Sequence, residues 1–439
     1  MTLVYISYKF LLTNKARNSN LWLEVSSNMQ SPIRLTESSY AWSRLFASLF
    51  ISTVGSAGMY LVVIILPEIQ NDFGVSRGAA SFSYTMVMLG FGLGGILFGR
   101  LGDLHGILKP LMISVLALAT SFVVTGMVRT IYMLYLMHFM IGFFGCAVVF
   151  APLVSDISKW FNKRRGFAVS ICACGNFLAG AIWPPLFVIA LSSVGWRLGY
   201  IYAGILSLLM MLPASFFLRL PSPQNAGSES SKGSVGDADT FGMNSNQLTG
   251  VLCLAGLACC IAMAMPTVHI VALCSDRGFG IAVGAKMLSA MLFFGVISRL
   301  GFGYISDKLG GLRTILIGSG LQAIALIFYL FAETLPGLFA VSVIFGLFQG
   351  GIVPCYALIV REYFPSSEAG VRLGVVISAT VLGMAVGGWI SGAIYDWTGS
   401  YSMALVHGIA WNCVNFSVIL FLLYKLSSFM RKQNLSSSN

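Results

Sequence analysis

Arg299 interrupts an apolar run, in the stretch Gly295-Val-Ile-Ser-Arg-Leu-Gly-Phe-Gly303. A guanidinium in such a run is costly, by about 2.5 kcal/mol or more on insertion scales, and persists where it faces a partner or an aqueous cavity. Its planar fork can meet a carboxylate with two parallel hydrogen bonds, so the chemistry on offer is anion binding. The plain alternative is a structural arginine paired with Asp307 or with a helix C-terminus. Four more groups could exchange protons: His138 and His269 inside apolar runs, and Asp156 and Glu68 at the ends of two others. Histidine titrates near neutral pH and could read a proton gradient, although a buried histidine serves as readily in hydrogen-bonded packing. Near the middle of the runs Tyr60, Asn176, Gln349, Tyr356 and Trp389, with Trp183, supply donors and ring faces for a mainly apolar cavity.

Bond-making chemistry finds no support. The four histidines are scattered, and Gly-x-x-x-x-Gly-Lys-[Ser/Thr] is absent, so no nucleotide cofactor is implied. The nine cysteines fall almost entirely within apolar runs and form no paired CxxC set. They read as small packing residues, and neither a metal nor a disulfide is expected.

The elements that must position these groups come as a duplicated half. Gly99, Asp103 and Gly106 recur as Gly303, Asp307 and Gly310, each 204 residues on, and the same offset superposes Gly142 on Gly346 and Gly166 on Gly370. Each motif lies in a short loop between two long apolar runs. Its glycines permit a sharp turn and close approach, and its carboxylate can accept from a neighbouring helix N-terminus or pair with Lys109, Arg165 or Arg313. Such a group can latch one face of a membrane protein shut. A capped turn would account for one copy; two copies at one offset favour the latch.

Apolar residues make up 57% of the chain and charged residues 9%, a composition that belongs to a polytopic membrane protein. A helix needs about 20 apolar residues to cross the bilayer, and the runs are continuous rather than alternating, which excludes a β-barrel. Twelve all-α spans are expected, at 42–66, 79–101, 109–128, 131–157, 166–193 and 197–219, then 247–274, 282–305, 312–332, 337–361, 370–394 and 402–424. Trp183-Pro184-Pro185 should kink the fifth. The halves are then 42–220 and 247–424, joined by a Ser-, Gly- and Asn-rich tether at 221–246, with a leader at 1–41 and a tail at 425–439. Met29 is an alternative start within the leader.

The formal charge of +11 is sorted by loop. Lys109, Lys159, Lys163, Arg164, Arg165, Lys232, Lys308, Arg313 and the basic termini share one side, against Arg77, Arg129, Arg197, Arg277 and Lys286 on the other. That asymmetry puts both termini and the tether in the cytoplasm and argues against nucleic-acid binding.

The loop Gly99-Arg-Leu-Gly-Asp-Leu-His-Gly106-Ile-Leu-Lys109 resembles the signature of the major facilitator superfamily between its second and third helices, and the resemblance covers essentially residues 42–424. Leu104 stands where the family usually has arginine, and Lys109 alone remains of the basic pair, which weakens the first latch. The stretches Lys159-Trp-Phe-Asn-Lys-Arg-Arg165-Gly166, Gly195-Trp196-Arg197, His269-Ile-Val and Gly388-Trp-Ile-Ser-Gly392-Ala-Ile-Tyr-Asp396-Trp-Thr-Gly399-Ser-Tyr401 look like the bacterial branch similar to monocarboxylate transporters and oxalate/formate antiporters. In that family an arginine at the place of Arg299 coordinates the substrate carboxylate. A second basic residue of those relatives is missing: Tyr60 stands in its helix-one place, and 373–395 contain no lysine. One arginine matches one carboxylate better than two. Gly295 holds the place of the acidic partner one turn before Arg299.

The expectation is a secondary transporter of a small organic anion, a monocarboxylate, in the inner membrane, working as a monomer with protons as a candidate coupling ion. The alternative is a proton-coupled exporter of drug-like or lipophilic compounds. A membrane enzyme or sensor would need clustered polar groups or a soluble domain.

Overall fold

The computed structural model describes residues 36–222 and 238–436, all of them helix, turn or loop without a strand. The leader before residue 36 with Met29, residues 223–237 of the tether, and residues 437–439 lie outside the described residues.

Among the described residues, eleven helices are long and apolar enough to cross a membrane. The longest, Arg165–Leu218, contains two crossings, because Gly195 sits at φ 78° and breaks it. Twelve spans therefore result, as the apolar runs predict. They are α1 (Ser39–Ile64), α2 (Arg77–His105), α3 (Leu108–Thr125), α4 (Ile131–Ser158), α5 (165–194), α6 (196–218), α7 (Ser245–Asp276), α8 (Ile281–Leu309), α9 (Gly311–Phe331), α10 (Leu335–Tyr363), α11 (Ser366–Thr398) and α12 (Ser402–Ser436). Side-chain caps start several of them: Ser38, Ser76, Thr130 and Thr334 each accept a backbone N–H of the first turn, and Asn244 forms a capping box with Gln247.

α5 stays helical through Trp183, Pro184 and Pro185, and its bonding pattern is interrupted at Cys174, before Gly175. Several ends also extend past the apolar windows, most of all α11 and α12, because polar residues at a helix end remain in water and still complete the backbone ladder.

The repeat is visible in the packing. Gly142 of α4 faces the carbonyl of Val87 of α2, and Gly346 of α10 faces the carbonyl of Met291 of α8; an added Cβ would lie 2.0 Å from that oxygen in both cases. Val87 and Met291 are again 204 residues apart. Glycine is required at both because two backbones touch there. Around Gly142 the ladder widens into a π-turn, Ile141–Cys146. The motif glycines have a second reason: Gly106 and Gly310 take φ 74° and 81°, a region that disfavours side chains. We expect Gly142→Ala and Gly346→Ala each to cost about 3 kcal/mol by overpacking against backbone that cannot yield. A thermal midpoint unchanged in detergent would contradict these contacts.

Candidate functional site

Between the halves lies a cavity of about 1360 Å³, lined from both. It opens on the face that carries the two motif loops: Gly99, Gly102, Asp103, Gly106 and Lys109 border one side of the mouth, Gly303, Ser306 and Asp307 the other. Among the described residues Asp103 reaches only Lys159 of its own half, at 3.5 Å and largely in water, where such a pair is worth little. Arg165 also lines the mouth and donates to Ser158 Oγ at 3.4 Å.

Arg299 stands eight residues before Asp307, roughly 12 Å up α8 at 1.5 Å per residue. Its Nη1 donates to the Ala173 carbonyl of α5 at 2.6 Å, and its Nε to the Gly350 carbonyl of α10 at 3.2 Å. The guanidinium carbon lies 4.1 Å from the centre of the Phe177 ring. Among the described residues no carboxylate pairs with it, so the structural pairing with Asp307 does not form. Phe177 occupies the space over Gly295 as well, since a Cβ there would lie 2.5 Å from its ring. A π face and two carbonyl dipoles thus offset the charge, and among the described residues Nη2 has no acceptor beside the cavity.

Tyr60, Asn176 and Gln349 are brought to the same cavity. Tyr60 is nearly buried and donates to Asn176 Oδ1 at 3.0 Å, tying α1 to α5. Tyr356 goes elsewhere: fully buried, it donates to Asn415 Oδ1 at 3.0 Å inside the second half, and the cavity wall is formed by its neighbours Pro354 and Cys355. Trp389 points outward, 43% exposed and edge-on to Phe82, which suits a lipid-facing ring. Trp183 donates to the Thr53 carbonyl at 2.9 Å as a packing residue. Accordingly, Tyr60→Phe is expected to alter substrate affinity several-fold, whereas Trp389→Phe should leave it unchanged; equal effects in a binding titration would contradict this placement.

The proton candidates are dispersed. His138 is buried within the first half between the Leu134 carbonyl and Tyr200 Oη, at 2.9 and 3.1 Å. Asp156 lies at the mouth in a bidentate pair with Arg44, at 2.8 and 2.9 Å, with Trp160 stacked on the guanidinium. That pair commits both carboxylate oxygens to Arg44. Glu68 is half-buried in the helical stretch Leu66–Phe73 that follows α1, near the opposite face. His269 is buried above the cavity, with Nε2 2.8 Å from the Gly388 carbonyl and Nδ1 3.1 Å from Tyr401 Oη.

His269 belongs to the closure of that opposite face, which the spacing of charges along the chain did not reveal. Asp396, at the end of α11, accepts the backbone N–H groups of Arg77 and Gly78 at 2.8 Å each, an anion on the N-terminus of α2. The Arg77 side chain donates to Tyr401 Oη at 2.8 Å and to Asp276 at 2.9 Å, and lies over the Tyr395 ring. Gly392 makes the approach possible: a Cβ there would lie 2.4 Å from Ser81 Oγ. Below, Tyr84 packs against Gly388 and its ring lines the cavity. The contacts of Arg77, Gly78 and Ser81 join α2 of one half to α7, α11 or the following loop of the other, and His269 braces Tyr401 and Gly388 from within the second half.

A central cavity thus lies between two repeated bundles, open on one face and closed on the other. The chain is 25% identical to the MFS-type transporter pynF of Aspergillus niger over 69% of each chain. It is 24% identical to monocarboxylate transporter 13 of Bos taurus over 82% of this chain and 83% of the relative. Its fold matches the crystal structure of a bacterial homologue of the human lysosomal transporter Spinster with a TM-score of 0.62 at 16% identity, covering 91% of this chain and 98% of that one. The family model of the Major Facilitator Superfamily matches residues 46–335 and 251–436. Taken with the duplicated bundle and its central cavity, these matches establish that the chain belongs to the Major Facilitator Superfamily and is a membrane transporter.

Proposed function

We propose that the protein is a secondary active transporter of an organic anion, a monocarboxylate, and that Arg299 binds the carboxylate. The observation that carries this reading is the guanidinium at the cavity wall with carbonyl and π partners and no carboxylate among the described residues. A substrate carboxylate would supply the missing counter-charge and accept from the free Nη2. One such arginine matches one carboxylate. The relationship to a protein named monocarboxylate transporter 13 supports the same class.

With the basic loops placed in the cytoplasm, the open face is the inner one and the Arg77–Asp396 lock closes the outside. Transport then requires the lock to part and the two Asp-bearing loops to close the inner mouth. Gly99, Asp103, Gly106, Lys109, Arg165, Gly303, Asp307, Gly310 and Arg313 are the residues assigned to that inner latch. We place the protein in the cell membrane as a monomer, with a proton as the candidate coupling ion and His269, inside the outer lock, as its best-situated acceptor.

Proton-coupled export of lipophilic compounds is the second reading, favoured by the mainly apolar wall. Against it, the acidic groups at the cavity are confined to the mouth. Uptake of labelled mono- and dicarboxylates into liposomes, with and without an inward proton gradient, tests the proposal. Uptake of monocarboxylates in preference to dicarboxylates is the expected result; uptake of neither would shift the weight to export.

A further inference from the structure

Beyond Arg299 toward the roof, the cavity becomes an apolar chamber. Met59, Met88, Met263, Leu292 and Met384 line it, from α1, α2, α7, α8 and α11, with the Tyr84 ring at the top. The two threonines of the chamber do not offer their hydroxyls. Thr267 donates to its own helix at the Met263 carbonyl, 2.9 Å away, and Thr380 to the Ile377 carbonyl, 2.7 Å away. The Tyr60 hydroxyl is held by Asn176. The fixed cation therefore sits at the edge of the chamber nearer the open mouth, and apart from Gln349 and the Cys260 thiol the wall above it presents thioethers, aliphatic carbons and ring faces.

A very small carboxylate held at Arg299 would leave that chamber filled with water against an apolar wall. A molecule with an apolar body would displace it, and burial of each further methylene contributes to binding. Four methionines from four helices suit the task, because unbranched, polarizable thioethers repack around bodies of different shape.

We propose that the substrate is an amphipathic monocarboxylate, with its carboxylate on Arg299 and a medium-length aliphatic or aromatic body lying among Met59, Met88, Met263 and Met384. This inference rests on the anion reading above and adds the part of the molecule that Arg299 does not touch. Selectivity then divides between two places: Arg299 selects the charge, and the methionine chamber selects the length of the body.

The test is a binding series on the full-length protein in lipid nanodiscs, with empty nanodiscs subtracted. Straight-chain carboxylates from acetate to decanoate are compared with their uncharged primary amides. Affinity of the acids should rise about fourfold per methylene until the chamber is full. Met88→Gln with Met384→Gln, which keep side-chain length and shape, should flatten that slope while leaving acetate and propionate binding in place. Arg299→Ala should weaken every acid and leave the amides unaffected. Arg299-dependent binding with no dependence on length would overturn the chamber proposal and spare the carboxylate reading. Amides binding as tightly as acids, with the same slope, would overturn the acid as substrate. Absence of Arg299-dependent binding for any acid would remove the anion reading on which the inference stands.

Discussion

Arg299→Ala is expected to lower carboxylate affinity and uptake by about 100-fold or more, while the protein still folds. Removing one partner of a desolvated charge pair costs about 2–5 kcal/mol, and a hundredfold corresponds to about 2.7 kcal/mol. Folding should survive because Arg299 holds no protein carboxylate that alanine would orphan; its partners are the Ala173 and Gly350 carbonyls and the Phe177 ring beside the cavity. Arg299→Lys should recover only part of the loss. An ammonium restores the charge, but it lacks the planar group that holds carbonyls of α10 and α5 through Nε and Nη1 while presenting Nη2 to substrate. Binding titrations with the purified variants, beside their elution profiles and thermal midpoints, separate the two effects. Wild-type affinity in a well-folded Arg299→Ala protein would remove the arginine from the binding site.

The second large effect is conformational. Asp396→Ala should shift the carrier away from the state open at the motif face, because the carboxylate satisfies two N–H groups at the start of α2 and brings its charge to the positive end of that helix. Charge-assisted hydrogen bonds are worth about 1.5–3 kcal/mol each, so the lock loses about 3 kcal/mol or more, roughly a hundredfold in the ratio of the two states. Arg77→Ala should act in the same direction by freeing Tyr401 and Asp276. The reporter is Ser81→Cys, placed where Ser81 is buried against Gly392. An impermeant maleimide added outside should label it at least tenfold faster in the Asp396→Ala background, and uptake should fall because the carrier returns less often. Equal labelling rates would mean that the lock does not set the equilibrium between states.

The sequence alone determined the quantities that depend on local order along the chain. The length of each apolar run fixes a crossing, since backbone in lipid must be bonded within its own helix, and an offset of 204 residues fixes the equivalence of the halves. Gly142 and Gly346 were found this way, as were the motif turns at Gly106 and Gly310, and the lone charge in α8 drew attention to Arg299. Tertiary structure decided which side of each helix meets the cavity. In a span that is apolar all round, periodicity does not separate a wall facing lipid from one facing a neighbouring helix or a cavity. Tyr356 and Trp389 therefore looked equivalent to Tyr60, yet one turns into its own bundle and the other toward the outside. The same limit hid the closures. Arg44 meets Asp156 across 112 residues, and the backbone N–H of Arg77 meets Asp396 across 319, pairings made when helices distant in the chain pack side by side. Phe177 over Arg299 is of that kind too: a ring from α5 lies in the space left by Gly295 of α8, and only the packing of two halves brings them together.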